Sequence, residues 1–145
     1  IRVPALARWT GTIAAGQTSS VPWAFWDFLP TAAELGGARV PNGVDGKSIV
    51  PLLSNPRASA PHEWLYWEFF EGGFQQAVRK GKWKLVRQAP KHQVELFDLS
   101  NDLGETRDVA AQHPEVVREL QAIFKSARVD HDQFPTNRKV DSVSF

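Results

Sequence analysis

The sequence predicts an α+β fold in which a four-stranded antiparallel sheet is packed by a C-terminal helix and preceded by a strand-helix segment. Residues 63–99 contain four short runs rich in Trp, Phe, Tyr, Val and Leu, which is a composition typical of β-strands. Residues 114–127 carry apolar side chains at helical spacing, and residues 21–35 form an earlier apolar segment. These three observations together predict the fold class.

Short breaks between the four runs predict how the strands connect. Residues 71–73 and 80–82 separate the first three runs and contain glycine, whereas the looser break at 88–93 contains Pro90. Short glycine-containing breaks between β-rich runs are typical of hairpins. We therefore expect an antiparallel meander.

Alternation of side chains assigns faces to the third run. Trp83 and Leu85 point to one side of the strand, while Lys82, Lys84 and Val86 point to the other. One face is therefore expected to meet a core, and the opposite face to meet water or a charged partner.

The C-terminal helix is predicted from a single apolar stripe. Pro114 suits the first helical position, because its missing N–H has no intrahelical partner there, and His113 is interpreted as a cap residue. The stripe is expected to cover one face of the sheet, and its members are Val116, Val117, Leu120, Ile123, Phe124 and Ala127.

The first third of the chain is predicted to contain a strand and a helix. Residues 1–9 read as a mostly buried strand followed by a turn at Thr10 and Gly11. Asp27 is a candidate helix N-cap, with Pro30 in the first turn and a pair of glycines at 36–37 as the C-terminal stop. Residues 48–53 are expected to form at most a short helix.

A linker at residues 54–61, which contains Pro and Ser, marks the expected boundary between two units. We expect a strand-plus-helix unit over 1–55, a sheet-plus-helix unit over 62–128, and a weakly patterned tail over 129–145. The chain starts at Ile1 without a methionine, which we interpret as a piece of a longer protein.

Composition excludes several classes of function. The chain has 145 residues, which fits one domain, and its net charge of +1 argues against a field that attracts nucleic acid. The sequence has no cysteine, so it has neither a disulfide framework nor a thiolate metal site, and the compartment stays open. No apolar run approaches the roughly 20 residues of a membrane span.

Several short motifs recur in an order that is similar to one known family. In the first half they are Arg2-Val3-Pro4, Asp27-x-x-Pro30-Thr31, Asp45-Gly46-x-Ser48 and Pro51-Leu52-Leu53. In the second half they are Tyr66-Trp67-Glu68, Gln76-Ala77-Val78-Arg79, Trp83-Lys84, Glu95-Leu96-Phe97-Asp98-Leu99 and Glu105. Together they resemble the C-terminal portion of sulfatases, a branch of the alkaline-phosphatase-like superfamily.

The resemblance implies how the units divide. Residues 1–55 would be the end of the α/β catalytic domain, and residues 62–128 would be the sulfatase C-terminal subdomain. The upstream catalytic domain of the same protein would be the partner of this chain, and a sulfated small molecule or glycan would be the substrate.

The resemblance also implies a chemistry that this chain does not encode. Sulfatases hydrolyse sulfate esters with a formylglycine made from the first residue of a Cys/Ser-x-Pro-x-Arg motif, beside a calcium ion. The nearest match here, Ser54-Asn55-Pro56-Arg57, lacks the residue between Pro and Arg. We therefore assign no catalytic residue, metal ligand or cofactor to this chain, and expect it to be inactive alone, while formylglycine and calcium are implied for the full-length enzyme.

Candidate substrate-binding residues cluster near the first hairpin. Trp67, Glu68, Glu71 and Gln76 bring aromatic, acidic and amide groups that suit a sugar or aryl pocket. The alternative is that these side chains serve core packing and cross-strand pairing.

A second candidate is a basic stretch at residues 79–91 that contains no acid. Its members are Arg79, Lys80, Lys82, Lys84, Arg87 and Lys91. Lys82 and Lys84 would attract an anionic substrate, or the stretch would be a solvated hairpin edge whose lysines discourage strand addition.

Metal-ligand patterns are weak. The histidines at 62, 92, 113 and 131 have no metal-ligand spacing. Asp98, Asn101 and Asp102 suggest a calcium loop but lack the EF-hand spacing, so turn formation is the better interpretation.

Two further functions stay open at this point. The chain would also fit a non-catalytic module that binds sulfated or acidic glycans, or part of a related phosphonate or phosphodiester hydrolase.

The aromatic residues Trp23, Phe25, Trp26 and Phe28 would be exposed without the upstream domain, which predicts self-association.

Overall fold

A computed structural model describes residues 2–71 and 73–134. The chain divides into two compact units, residues 1–63 and 64–145, and each is described by itself. Ile1, Gly72 in the predicted turn 71–73, and the tail from residue 135 onward lie outside the described residues. Within the described ranges, no helix combines the length and apolar character that crossing a membrane requires.

The first unit contains two short helices. A 3₁₀ turn over Phe25–Asp27 continues directly into α1, Phe28–Leu35, and α2 spans Val50–Ser54. Asp27 occupies the N-cap position of α1, and Gly36 caps its C-terminus with an N–H that donates to the carbonyl of Ala32 at 2.9 Å. The predicted helix with its glycine stop is therefore confirmed.

The predicted strand over residues 1–9 is wrong for residues 2–9, which the structure describes as exposed and without strand structure. Leu6, for example, is fully exposed. A strand requires a neighbouring backbone to accept and donate its hydrogen bonds, and within the described part of the first unit no other strand is present. The following turn does form, since the Trp9 carbonyl accepts from the N–H of Thr12 at 3.0 Å.

The second unit is the predicted meander followed by a helix. The strands are β1, Leu65–Phe69; β2, Gln75–Lys80; β3, Trp83–Arg87; and β4, Val94–Asp98. They pair antiparallel in sequence order. A 3₁₀ turn at Ala110–Gln112 leads to α3, Pro114–Ala127, with His113 at its N-cap position. The α+β fold with a four-stranded antiparallel sheet and a C-terminal helix is confirmed.

One face of the sheet and one stripe of α3 form the core of this unit. The strand register aligns Tyr66, Val78, Leu85 and Leu96 across the four strands. Val78, Leu85 and Leu96 are 0% exposed and belong to one cluster with Leu120, Ile123 and Phe124 of α3. Because these apolar side chains leave water together, the predicted stripe at residues 114–127 fixes the helix against the sheet.

The β2 and β3 strands are joined by a two-residue turn at Gly81 and Lys82. Gly81 has a φ of 56°, a left-handed conformation that residues with a side chain rarely adopt. The turn therefore needs glycine at this position, and it places Lys82 outside the strand while Lys84 lies within it.

Candidate functional site

A hydrogen-bonded network of polar side chains lies on the helix-facing side of the sheet. The register pairs Glu68 with Gln76 and Gln76 with Arg87. The hydroxyl of Tyr66 donates to Oε1 of Glu68 at 2.5 Å, and Nε2 of Gln76 donates to that hydroxyl at 2.7 Å. Arg87 donates to Oε1 of Gln76 at 3.3 Å. These side chains are therefore held in place by hydrogen bonds to one another.

Arg128, just after α3, closes this network. Its guanidinium donates to Oε2 of Glu68 at 2.5 Å, to Asp130 at 2.9 Å and to the carbonyl of Phe134 at 2.9 Å. The hydrogen bond to Glu68 is the main cause that raises the pKa of Arg128 above its usual value. Burial, and then the hydrogen bond to Glu68, raise the pKa of Tyr66 above its ordinary range.

The structure separates the four candidates near the first hairpin. Glu68 and Gln76 lie together in this network, but Trp67 pairs with Ala77 on the opposite face of the sheet. Glu71 lies exposed in the loop after β1. Alternation along the strand explains the split, because neighbouring residues of a strand point to opposite faces.

The basic stretch at 79–91 receives acidic partners from elsewhere in the chain. Lys80 pairs with Glu119 at 2.9 Å, and Lys82 pairs with Asp98 at 2.8 Å. Lys84 is 7% exposed, and its ammonium donates to both carboxylate oxygens of Glu105 at 2.5 Å. The hairpin is therefore not a bare positive surface, which the sequence alone did not reveal because the acids are distant along the chain.

A different cationic surface lies between α3 and the sheet. An open groove of about 680 Å³ is lined by four basic side chains and one acidic side chain, namely Arg87, Arg118, Lys125, Arg128 and Asp130. Sequence reasoning missed this groove. The available signal was the spacing of Arg118, Gln121, Ala122 and Lys125 along the helix, which places them on one face.

Asp27 holds several segments of the first unit together through contacts with its side chain. Its carboxylate is 0% exposed and accepts hydrogen bonds from the Ala24 N–H at 2.8 Å and the Lys47 N–H at 2.9 Å. Nε2 of His62 lies 2.6 Å from the same carboxylate. The side chain does not cap α1 itself, because its oxygens are directed to the segments that surround the helix start.

The loop after β4 is built by turn-forming hydrogen bonds. Asp98 accepts from the Ser100 N–H at 3.0 Å, and Asp102 accepts from the N–H groups of Thr106 at 2.8 Å and Arg107 at 2.9 Å. The side-chain hydrogen bond from Lys82 is the main cause that lowers the pKa of Asp98. For Asp102, the main cause of a lowered pKa is the backbone N–H of Arg107.

The carboxylates of Asp98 and Asp102 are engaged by neighbouring groups of this loop and by Lys82, as the turn interpretation expects. Within residues 2–71 and 73–134, no three His, Cys, Asp or Glu side chains are grouped as metal ligands would be.

Residues 1–130 match the family described as N-sulphoglucosamine sulphohydrolase, C-terminal. The chain belongs to the sulfatase family, as a C-terminal portion. This sulfatase C-terminal domain is 30% identical over 132 residues to Arylsulfatase K of Danio rerio, covering 86% of this chain and 25% of the relative. It is 35% identical over 150 residues to Arylsulfatase A of Bos taurus, covering 85% of this chain and 29% of the relative.

Solved structures confirm the fold. The structure described as BT4656 in complex with its substrate D-glucosamine-2-N,6-O-disulfate has a TM-score of 0.75 at 23% identity, covering 91% of this chain and 29% of that one. The phosphonate monoester hydrolase from Silicibacter pomeroyi has a TM-score of 0.56 at 25% identity, covering 72% of this chain and 25% of that one. The sulfatase C-terminal domain described here thus spans between a quarter and three tenths of the length of these relatives.

Proposed function

We propose that this chain is the C-terminal part of an arylsulfatase-type sulfuric ester hydrolase, in which it completes the fold and lines one side of the substrate cleft. The observation that carries the proposal is the family match over residues 1–130, together with relatives of which the chain covers only 25% and 29%. The catalytic nucleophile and the metal would come from an upstream catalytic domain of the same protein.

The residues of this chain support a scaffolding role. The sequence contains no cysteine, and its nearest approach to a formylglycine motif, at residues 54–57, lacks the required spacing. No step of ester hydrolysis is therefore assigned to a side chain of this domain. Its contribution is a sheet and helix packed around side chains that are 0% exposed, such as Leu85 and Leu96.

The β1–β2 hairpin is the element proposed to border the cleft. Glu68 and Gln76 are locked by Tyr66 and Arg128, so the base of the hairpin is rigid. Glu71 at its end is exposed and is the candidate that would reach substrate. A rigid base with one exposed polar residue suits positioning of a ligand, because little ordering is required on binding.

The test compares the complete protein that contains this domain with the 145-residue chain alone, using an aryl sulfate as substrate. We expect turnover by the complete protein and none by the isolated chain. Turnover by the isolated chain would overturn the assignment of the nucleophile and metal to the upstream part.

A substitution in the complete protein tests whether the β1–β2 hairpin borders the substrate cleft. Glu71→Ala should raise KM severalfold with little change in kcat, because it removes a contact that binds substrate and transition state alike. Glu115→Ala, an exposed acid at the start of α3, is the matched control and should leave KM unchanged. Equal kinetics for the two variants would contradict the cleft position of the hairpin.

The phosphonate monoester hydrolase with a similar fold supports a second candidate activity. In that case the complete protein would hydrolyse a phosphonate monoester faster than an aryl sulfate. Measuring kcat/KM for both substrates on one preparation discriminates the two, because the better transition-state fit gives the larger value.

A further inference from the structure

The function proposed above assigns no role to Arg87, Arg118 and Lys125, which line the cationic groove between α3 and the sheet, although the groove shares Gln76 and Arg128 with the base of the hairpin. Arg118 and Lys125, seven residues apart on the same face of α3, line it together with Arg87 from β3. Its volume of about 680 Å³ falls within the range of ligand-binding clefts. The groove is formed entirely by residues of the second unit.

Three cations of the groove form no ion pair with an acidic side chain within residues 2–71 and 73–134. Arg118 and Lys125 are exposed and form no ion pair with any residue in the described part of the chain. Arg87 is held by the amide of Gln76 at 3.3 Å and lies 5.2 Å from the ring centre of Phe124, and both of these partners are uncharged. The groove therefore has a local positive potential although the whole chain has a net charge of only +1.

Asp130, an acidic side chain that lines the groove, is already engaged. Asp130 accepts from Arg128 at 2.9 Å, and Arg128 also pairs with Glu68. This pairing leaves Arg87, Arg118 and Lys125 as the groups available to an incoming anion. Arg118 and Lys125 are about 10 Å apart along the helix axis, so they suit a ligand with several anionic groups rather than a single ion.

The aromatic and amide side chains of the groove favour an anionic carbohydrate over a single-stranded nucleic acid. Phe74 and Phe124 are 5% and 3% exposed, and the guanidinium groups of Arg128 and Arg87 lie over their rings. Neither ring offers a free face on which a nucleobase would stack, and such stacking dominates the binding of single-stranded nucleic acid. The amide group of Gln121 lies among the cations and suits hydroxyl groups, whereas the amide of Gln76 is already engaged by Tyr66 and Arg87.

We propose that this groove is a binding site for a sulfated oligosaccharide, with Arg87, Arg118 and Lys125 contacting its anionic groups. The choice of sulfate as the anion rests on the proposed sulfatase function, whereas the cationic and non-stacking character of the groove is independent of it. The site is separate from Lys82 and Lys84, whose charges are offset by Asp98 and Glu105.

The test measures binding of a heparin-derived octasaccharide to the complete protein by titration calorimetry, without turnover. The groove variant is Arg118→Gln with Lys125→Gln, two exposed positions where Gln keeps the helix propensity. The control variant is Lys47→Gln with Arg107→Gln, which removes the same two charge types from exposed positions outside the groove.

We expect the groove variant to weaken binding roughly tenfold and the control less than twofold, and the difference should shrink as salt is raised. The desulfated octasaccharide should bind the unsubstituted protein much more weakly than the sulfated one. Equal losses in the two variants, or equal binding of both sugars, would overturn the proposal. Tighter binding of an oligothymidylate of the same length would overturn the choice of carbohydrate.

The outcomes also separate this proposal from the sulfatase function. A protein that loses octasaccharide binding in the groove variant but hydrolyses no sulfate ester would support the groove and overturn the function. An active sulfatase whose octasaccharide binding is unaffected by the groove substitutions would overturn the groove alone.

Discussion

Nε2 of His62 lies 2.6 Å from Oδ1 of Asp27, so a histidine at the end of the first unit contacts a carboxylate at the start of its main helix. The side chain of Asp27 is 0% exposed and that of His62 is 10% exposed. The same carboxylate accepts the backbone N–H groups of Ala24 and Lys47. One buried acid therefore joins three segments that are distant in sequence.

Asp27→Ala should destabilise the first unit by about 3 kcal/mol, because it leaves two backbone N–H groups and His62 without their acceptor. The urea midpoint of unfolding should fall, and the amide hydrogens of Ala24 and Lys47 should exchange faster with solvent. Glu34→Ala, an exposed acid on the same helix, should change the free energy of unfolding by no more than about 0.5 kcal/mol. Unchanged exchange at both amides would contradict the role of Asp27.

Gly46→Ala should also destabilise the first unit, by about 3 kcal/mol, because a Cβ at this position would lie 2.0 Å from the carbonyl oxygen of Trp26. Backbone atoms must move to relieve that contact. Gly11→Ala is the control, since its φ of 84° costs about 1 kcal/mol but no atom lies within 4 Å of the added carbon. A Gly46→Ala variant as stable as Gly11→Ala in thermal unfolding would show that the close approach carries no cost.

Glu105→Gln should cost about 2 kcal/mol of stability, because it leaves the ammonium of Lys84, which is 7% exposed, without a carboxylate. Adding Lys84→Met should restore much of this loss, since the buried charge is then gone. A double-mutant cycle from denaturant unfolding measures the coupling. Glu119→Gln, at the exposed pair with Lys80, should change stability by about 0.5 kcal/mol or less, and simple additivity of the Lys84 and Glu105 changes would count against the buried pair.

The pKa of Asp98 should lie below the ordinary aspartate value of 3.8, mainly because Lys82 donates to its charged form. A folded-state pKa below the unfolded value contributes stability above the unfolded value, and this contribution is lost as pH falls through the folded one. Carboxyl carbon titration by NMR gives the pKa directly. Lys82→Gln should raise the pKa of Asp98, while that of Asp102 should stay low because the Arg107 N–H is its main cause. An unchanged Asp98 titration in that variant would refute the assignment to Lys82.

The candidate site was only partly predictable from the sequence. Glu68 and Gln76 were identified as polar residues near the first hairpin, and they do lie together. The partner of Glu68, Arg128, is 60 residues away and follows the last helix, so no local pattern connects them. The same reason explains why Lys84 looked like a free cation until Glu105 was placed beside it.

The sequence by itself determined the four strands of the meander and the helix at 114–127, because alternation and helical spacing act over a few residues. It did not determine the conformation of residues 2–9, whose apolar character suggested a strand. The described part of the first unit contains no strand with which they could pair. Tertiary structure alone decided which charges are offset and which are available. Ion pairs depend on the distance between side chains in space, and that distance is set by packing rather than by position along the chain.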